Sequence, residues 1–135
     1  MPDLITPTAS AVLAHLAADT AVQSLLGNTA RLYDHRPAQA TFPFAVLARL
    51  EGREAGAKNI MAQNLVLTLQ VFSRQRSGTE CRQILADFRD VLHDASLAIS
   101  GGTLARCQEE FVSVAFDEDS GGSQGLARYR LIVSA

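Results

Sequence analysis

The side chains able to do chemistry are few, and their spacing assembles nothing. His15, His35 and His93 stand far apart, and none has metal-ligand spacing to another histidine or to Cys81 or Cys107. His93 falls at the end of a helical pattern, where an imidazole interacts with the negative end of the helix. Asp117-Glu118-Asp119-Ser120-Gly121 superficially matches a calcium loop. It lacks ligands at alternate positions and the closing glutamate such a loop needs, so it reads as a solvated turn. Gly101-Gly102 and Gly121-Gly122 do not sit between a strand and a helix, which removes a phosphate cradle. Ser77 and Ser100 cap or turn without a histidine nearby in sequence, so no nucleophile elbow is present. Cys81 and Cys107 occupy apolar positions and read as reduced core thiols, although two cysteines could form one bridge. No catalytic, metal or cofactor group is expected. A catalytic site built from distant positions would need a concave pocket around a strongly perturbed acid or base.

What remains is arginine. Of 12 basic residues Lys58 is the only lysine, and arginine suits fixed contacts to carboxylates, carbonyls and partner proteins. A net charge of −2 argues against a general nucleic-acid binder, which carries a basic excess. Arg49, Arg53 and Lys58 lie in or beside a polar stretch, and Arg128 and Arg130 share one face of a closing strand. These five are the candidates for an assembly interface.

The elements that position them are organised around residues 64 to 93. Leu65, Leu67, Leu69 and Val71 alternate with Val66, Thr68, Gln70 and Phe72, the period of a central strand covered on one face. Ser77-Gly78-Thr79-Glu80 then matches a capping box. Behind it Cys81, Ile84, Leu85, Phe88, Val91 and Leu92 recur at helical spacing as one apolar stripe. Earlier, Thr6-Pro7 opens a first helix with threonine as cap. Asp19-Thr20 caps a second, short one that stops at Gly27. Arg31-Leu32-Tyr33 is a short extended piece, and Phe44 to Leu50 reads as a strand. Its alternation sets Phe44, Val46, Ala48 and Leu50 on one face and Ala45, Leu47 and Arg49 on the other. Residues 51 to 63, with Gly52, Gly56 and mixed charges, read as a loop longer than a strand connection usually needs. Residues 104 to 116 form one strand or two, broken near Gln108-Glu109-Glu110, with Phe111, Val112, Val114 and Phe116 as the firmer half. Asp117 to Gly125 is a turn and Leu126 to Val133 a closing strand.

A length of 135 residues implies one domain spanning 1–135, with enough chain for a core that needs no staples. The expected fold is α+β: a mainly antiparallel sheet of about four strands, packed with one central amphipathic helix and short N-terminal helices. No apolar run approaches the ~20 residues of a membrane span. Met1-Pro2-Asp3 lacks the basic start of a secretory signal.

The order of these pieces resembles the small tail-completion proteins of tailed-phage and gene-transfer-agent clusters, which are similar in fold and role to the lambda-type tail terminator. The resemblance covers residues 12 to 133. It rests on Leu25-Leu26-Gly27 followed by Arg31-Leu32-Tyr33, and on the strand start Phe42-Pro43-Phe44-Ala45-Val46. The strand Leu65 to Phe72 then feeds the helix Cys81 to Leu92. Last, Asp117-Glu118-Asp119 runs into Gly125-Leu126-Ala127-Arg128-Tyr129-Arg130. The polar Gln108-Glu109-Glu110 and the plain Leu32 depart from the usual pattern.

The resemblance implies a structural virion protein, made in the bacterial host cytoplasm, that caps the end of the polymerised tail tube. It implies a ring of identical subunits, a hexamer, that offers the head-joining surface. Its partners would be itself, the tail tube protein and a head–tail connector or stopper protein, with DNA passing through the ring without sequence-specific recognition. The alternative is a monomeric protein-binding or tail-assembly chaperone module, and the third class is a small hydrolase or transferase. The polar stretch 51–63 is expected to belong to the assembly surface.

Overall fold

Leu65, Leu67, Leu69 and Val71 are fully buried, and everything else packs around the strand that carries them. The computed structural model describes residues 3–54 and 62–135. In chain order the elements are α1 (Ile5–Ala17), α2 (Thr20–Leu26), β1 (Leu32–Tyr33), β2 (Phe44–Glu54), β3 (Ala62–Ser73), α3 (Thr79–Leu92), β4 (Ala98–Ile99), β5 (Gly102–Phe116) and β6 (Ser123–Ser134). The strands form one six-stranded sheet in the order β1-β2-β3-β6-β5-β4. β1 joins β2 in parallel and every other pairing is antiparallel.

The expected mainly antiparallel four-stranded sheet with one central helix is therefore overturned. The sheet is mixed, has six strands, curls into a half-barrel and carries three helices. Two-residue β1 and β4 are too short to leave a periodic signal, which explains the two strands missing from the sequence count.

The helices share one side of the sheet. Val12, Leu16, Val22, Leu26 and the α3 stripe Cys81, Ile84, Leu85, Phe88 and Leu92 meet the buried faces of β2, β3 and β6 in one core. Burying such side chains contributes roughly 1.5–3 kcal/mol each. α2 starts as expected, with the Asp19 carboxylate accepting from the Val22 amide at 3.0 Å, and ends at Gly27, whose φ of 89° suits a residue without Cβ.

Two caps differ from expectation. α1 begins one residue before Thr6, and Asp3 caps it by accepting from the amides of Ile5 (2.9 Å) and Thr6 (3.1 Å). The Thr6 hydroxyl and amide both hold the Asp3 carboxyl below its usual range. The capping box before α3 does not close. Gly78 is the cap residue, Ser77 accepts from the Thr79 amide, and Glu80 instead accepts from the Ser73 hydroxyl at 2.6 Å.

β2 also departs from simple alternation. Ala48 is skipped in the register between Leu47 and Arg49, a bulge that turns the rest of the strand over. Leu50 thus joins Ala45 and Leu47 against the helices, while Phe44 and Val46 belong to a second cluster with Phe72 on the opposite face. The strand then continues to Glu54, paired with Gln63. Residues 51–54 and 62–63 of the expected loop are therefore strand, and residues 55–61 lie outside the described residues.

Candidate functional site

The face of the sheet away from the helices collects the sequence candidates. Residues that oppose one another in a ladder share a face, so the registers define rows across four strands. Arg49, Thr68, Arg128 and Phe111 form one row; Glu51, Val66, Arg130 and Gln108 the next; Arg53, Asn64, Ile132 and Arg106 a third. Four of the five candidates, Arg49, Arg53, Arg128 and Arg130, thus stand on one surface. Lys58 lies outside the described residues. Arg106 belongs to the same surface and was missed, because the bulges of β5 hide which way its side chain points.

Three of these arginines have partners that leave them exposed. Arg49 pairs with Glu51 at 2.8 Å. Arg130 donates from Nε (3.0 Å) and Nη2 (2.8 Å) to one oxygen of Glu110, and the Arg128 guanidinium lies over the Phe111 aromatic ring, 4.6 Å from its centre. Such exposed pairs add little to stability, and their effect is to fix the direction of long side chains. Arg53 and Arg130 face a shallow depression with Glu51, Asn64 and Val66.

At one end of this face sits an aromatic corner. Phe44 stacks on Phe72 (4.9 Å between centres) and meets Phe42 edge-on. Arg36 covers Phe72 at 4.7 Å and Arg74 covers Phe42 at 4.6 Å. Charge spacing alone does not reveal this pair, since Arg36 and Arg74 are brought together only by the β2–β3 pairing.

The groups with latent chemistry are locked away. Cys81 and Cys107 are buried free thiols. Burial raises the first and pushes the second up to about 11, so neither is a thiolate at neutral pH. Tyr129 is fully buried and donates to Glu109 Oε2 at 3.2 Å; burial first and that carboxylate second push its phenol upward. His93 is the C-cap residue of α3. Its Nδ1 accepts from the Glu109 amide at 3.1 Å, where β5 changes register. Asp117 is committed to its turn, accepting from the Ser120 hydroxyl at 2.9 Å. Among the described residues no group of three His, Cys, Asp or Glu side chains could hold a metal ion. Among them, too, no single helix is long and apolar enough to cross a membrane.

β5 exposes the largest apolar side chains of the sheet. The half expected as the firmer strand is strand, and its Phe111, Val112 and Phe116 are 44%, 48% and 48% exposed. Its register with β6 skips Ala105 and Glu110, and each skip re-aims the residues that follow.

Comparison with known proteins adds two findings. The family model for tail completion protein gp17 matches residues 10–134. Among solved structures, a chain of the virion of a native gene transfer agent particle superposes with a TM-score of 0.89 at 18% identity, each chain covered over 100% of its length. At that identity the likeness is one of fold. No curated protein sequence matches the chain.

Proposed function

The chain belongs to the tail completion protein gp17 family, and we propose that it closes the end of a polymerised tail tube as a ring and presents the surface to which the head joins. It is a structural protein of the virion tail. The finer role is carried by one observation: the sheet has a sealed face and an unsealed one, and the unsealed one carries the fixed arginines. A ring subunit needs surfaces that recognise a tube below, a connector or stopper above and its own copies beside it; it needs no catalytic group. Arg49, Arg53, Arg128 and Arg130 are the proposed contact residues, with Lys58 beyond Arg53 in the chain, and the proposed assembly is a hexamer through which DNA passes.

The test is a reversal of charge on that face. Arg53→Glu with Arg128→Glu alters exposed side chains and should leave the melting temperature within a few degrees of wild type. Tails completed with this variant should run to uncontrolled lengths or fail to join heads, as seen by electron microscopy of the particles. Particles of normal length and normal head joining would refute the reading.

A further inference from the structure

β5 is used unevenly along its outer side. β4 covers Gly102 and Thr103. Further on, the Cys107 carbonyl accepts from the Asp94 amide at 2.7 Å, and the Glu109 amide donates to His93 Nδ1 at 3.1 Å. Past that point, among the described residues, no backbone bond reaches the outer side of residues 110–116. The register with β6 skips no residue from Phe111 to Phe116, so this stretch keeps the regular pleat a further strand needs. It contains neither the lysine nor the proline that commonly blunts an open edge.

We propose that a short extended segment of another tail or head protein adds to residues 110–116 as an outermost strand. It places an apolar side chain in the groove between α3 and β5 and a carboxylate beside Arg82. The proposal rests on the tail-tube reading above and specifies the chemistry of one of its partners. The backbone selects an extended occupant. A helix laid over this edge would bury N–H and C=O groups without partners, whereas an added strand bonds them and reads its neighbour through alternate side chains. The ladders select a different protein over a second copy joined edge to edge. Val114 is level with Gly125, Val71 and Ala45, and Ser113 with Leu126, Gln70 and Val46. Ala45 and Val46 are the β2 residues that β1 already covers, so a copy placed alongside offers no free strand at this height.

The side chains define what the segment carries. Val112 and Val114 line an apolar groove with Leu85 and Ala86 of α3, and Val112 and Phe116 are exposed. Toward the Phe116 end stand two guanidinium groups that form no ion pair among the described residues. Arg82 has the Thr79 hydroxyl at 3.4 Å, and Arg76 lies over the Phe116 ring, 5.6 Å from its centre. Gly78 lets Arg82 lie against the strand, because a Cβ there would sit 2.7 Å from Arg82 Nη1 and 2.8 Å from Val114 Cγ1. At the other end of the groove Arg89 already faces Glu109 at 3.7 Å. Charge therefore orients the occupant, with its acidic residue toward Phe116 and its apolar residue toward Val112. Side chains of a strand return to one face at every second residue, about 7 Å apart. The segment thus carries an apolar and an acidic residue separated by one position.

Amide hydrogen exchange on the full-length protein, free and seated in completed tails, tests the added strand. The outward amides of residues 110–116 should exchange quickly in the free protein and at least about tenfold more slowly in tails. Arg82→Lys keeps the charge and supplies an amine that a water-soluble carbodiimide can join to a touching carboxylate. Mass spectrometry of cross-linked tails should map that link to a different tail or head protein, at an acid two positions from an apolar residue. Val112→Lys and Arg82→Glu alter exposed side chains. Each should melt like wild type and form rings of the same mass, yet lose the protection. Unchanged exchange in tails, no link, or a link to another copy of this chain would overturn the added strand and leave the ring reading intact. Rings dispersed by Val112→Lys would place a copy at this edge and overturn it as well. Absence of any ring, in solution and on tubes, would overturn the ring reading, while exchange and link still report on the edge.

Discussion

β6 and β5 lie side by side and share a ladder from Thr103 to Phe116, yet they are built on different terms. In β6, Gly125, Ala127, Tyr129, Leu131 and Val133 are buried and the residues between them are not. Its register with β3 runs from Ser123 to Ser134 without a break. In β5 only Cys107 is buried, and the register skips twice. A strand with ladders on both sides has its pleat fixed twice over, and an extra residue would break one ladder or the other. A strand with one free edge can absorb extra residues on that side, bend, and turn its apolar side chains outward. The regular strand builds the core, and the irregular one is left with surface that has no use inside a single subunit.

The largest expected effect breaks this comparison on the β6 side. Leu131→Ala removes a fully buried side chain and should cost about 2–5 kcal/mol in urea unfolding. A loss under about 1 kcal/mol would mean that β6 is not the buried member of the pair. Gly125→Ala should be milder. An added Cβ would sit 2.7 Å from Leu85 Cδ1 and 3.4 Å from Cys81 Cβ, so α3 would have to yield, at about 1–3 kcal/mol. Unchanged stability would show that α3 does not rest on β6 at this point.

The same contrast explains what the sequence made legible. β3 and α3 were readable because each has one sealed face, so burial prints its period into residue type: Leu65 to Val71 for the strand, Cys81 to Leu92 for the helix. β5 misled. Phe111, Val112 and Phe116 satisfy the rule for a buried strand, and only the three-dimensional position of a free edge shows that they are exposed. β2 misled for another reason, since one skipped residue at Ala48 reverses every later side chain, and alternation read from Phe44 onward assigns Leu50 to the wrong face. Residues 51–54 read as loop because an open face selects no apolar residues, although they continue β2. The candidate arginines were named for their type, and their gathering on one face depends on three ladders that no local pattern encodes.

A third test addresses the link between the two strands. The buried Tyr129 of β6 donates to Glu109 of β5, whose other oxygen lies 3.7 Å from Arg89. Tyr129→Phe should cost about 1–2 kcal/mol near neutral pH, because the carboxylate loses its donor. The pH dependence has a definite sign. Burial raises the native phenol above its ordinary 10.0, so its contribution is complete below pH 10 and is lost as pH rises beyond that, where only the unfolded chain ionises. The stability gap between wild type and Tyr129→Phe should therefore narrow above pH 10. A gap that widened there would exclude a proton held on the phenol.

The smallest expected effect lies across the ladder. Val112 opposes Ala127 of β6 and sits on the helix side of the sheet, so by position it resembles a core residue, yet it is 48% exposed. Val112→Ala removes methyl groups that water already reaches, and the isolated protein should lose no more than about 0.5 kcal/mol. The contrast with Leu131→Ala then separates two roles for one residue class on adjacent strands. If Val112→Ala instead cost more than about 1 kcal/mol in the monomer, the β5 edge would be packed within its own subunit. Its apolar side chains would be spent on folding, and the difference between β5 and β6 would shrink to one of regularity alone. If the monomer is unmoved while self-association weakens, the exposed methyl groups of Val112 act between copies and not within one. Urea melts and sedimentation at matched concentrations measure both quantities on the same preparation.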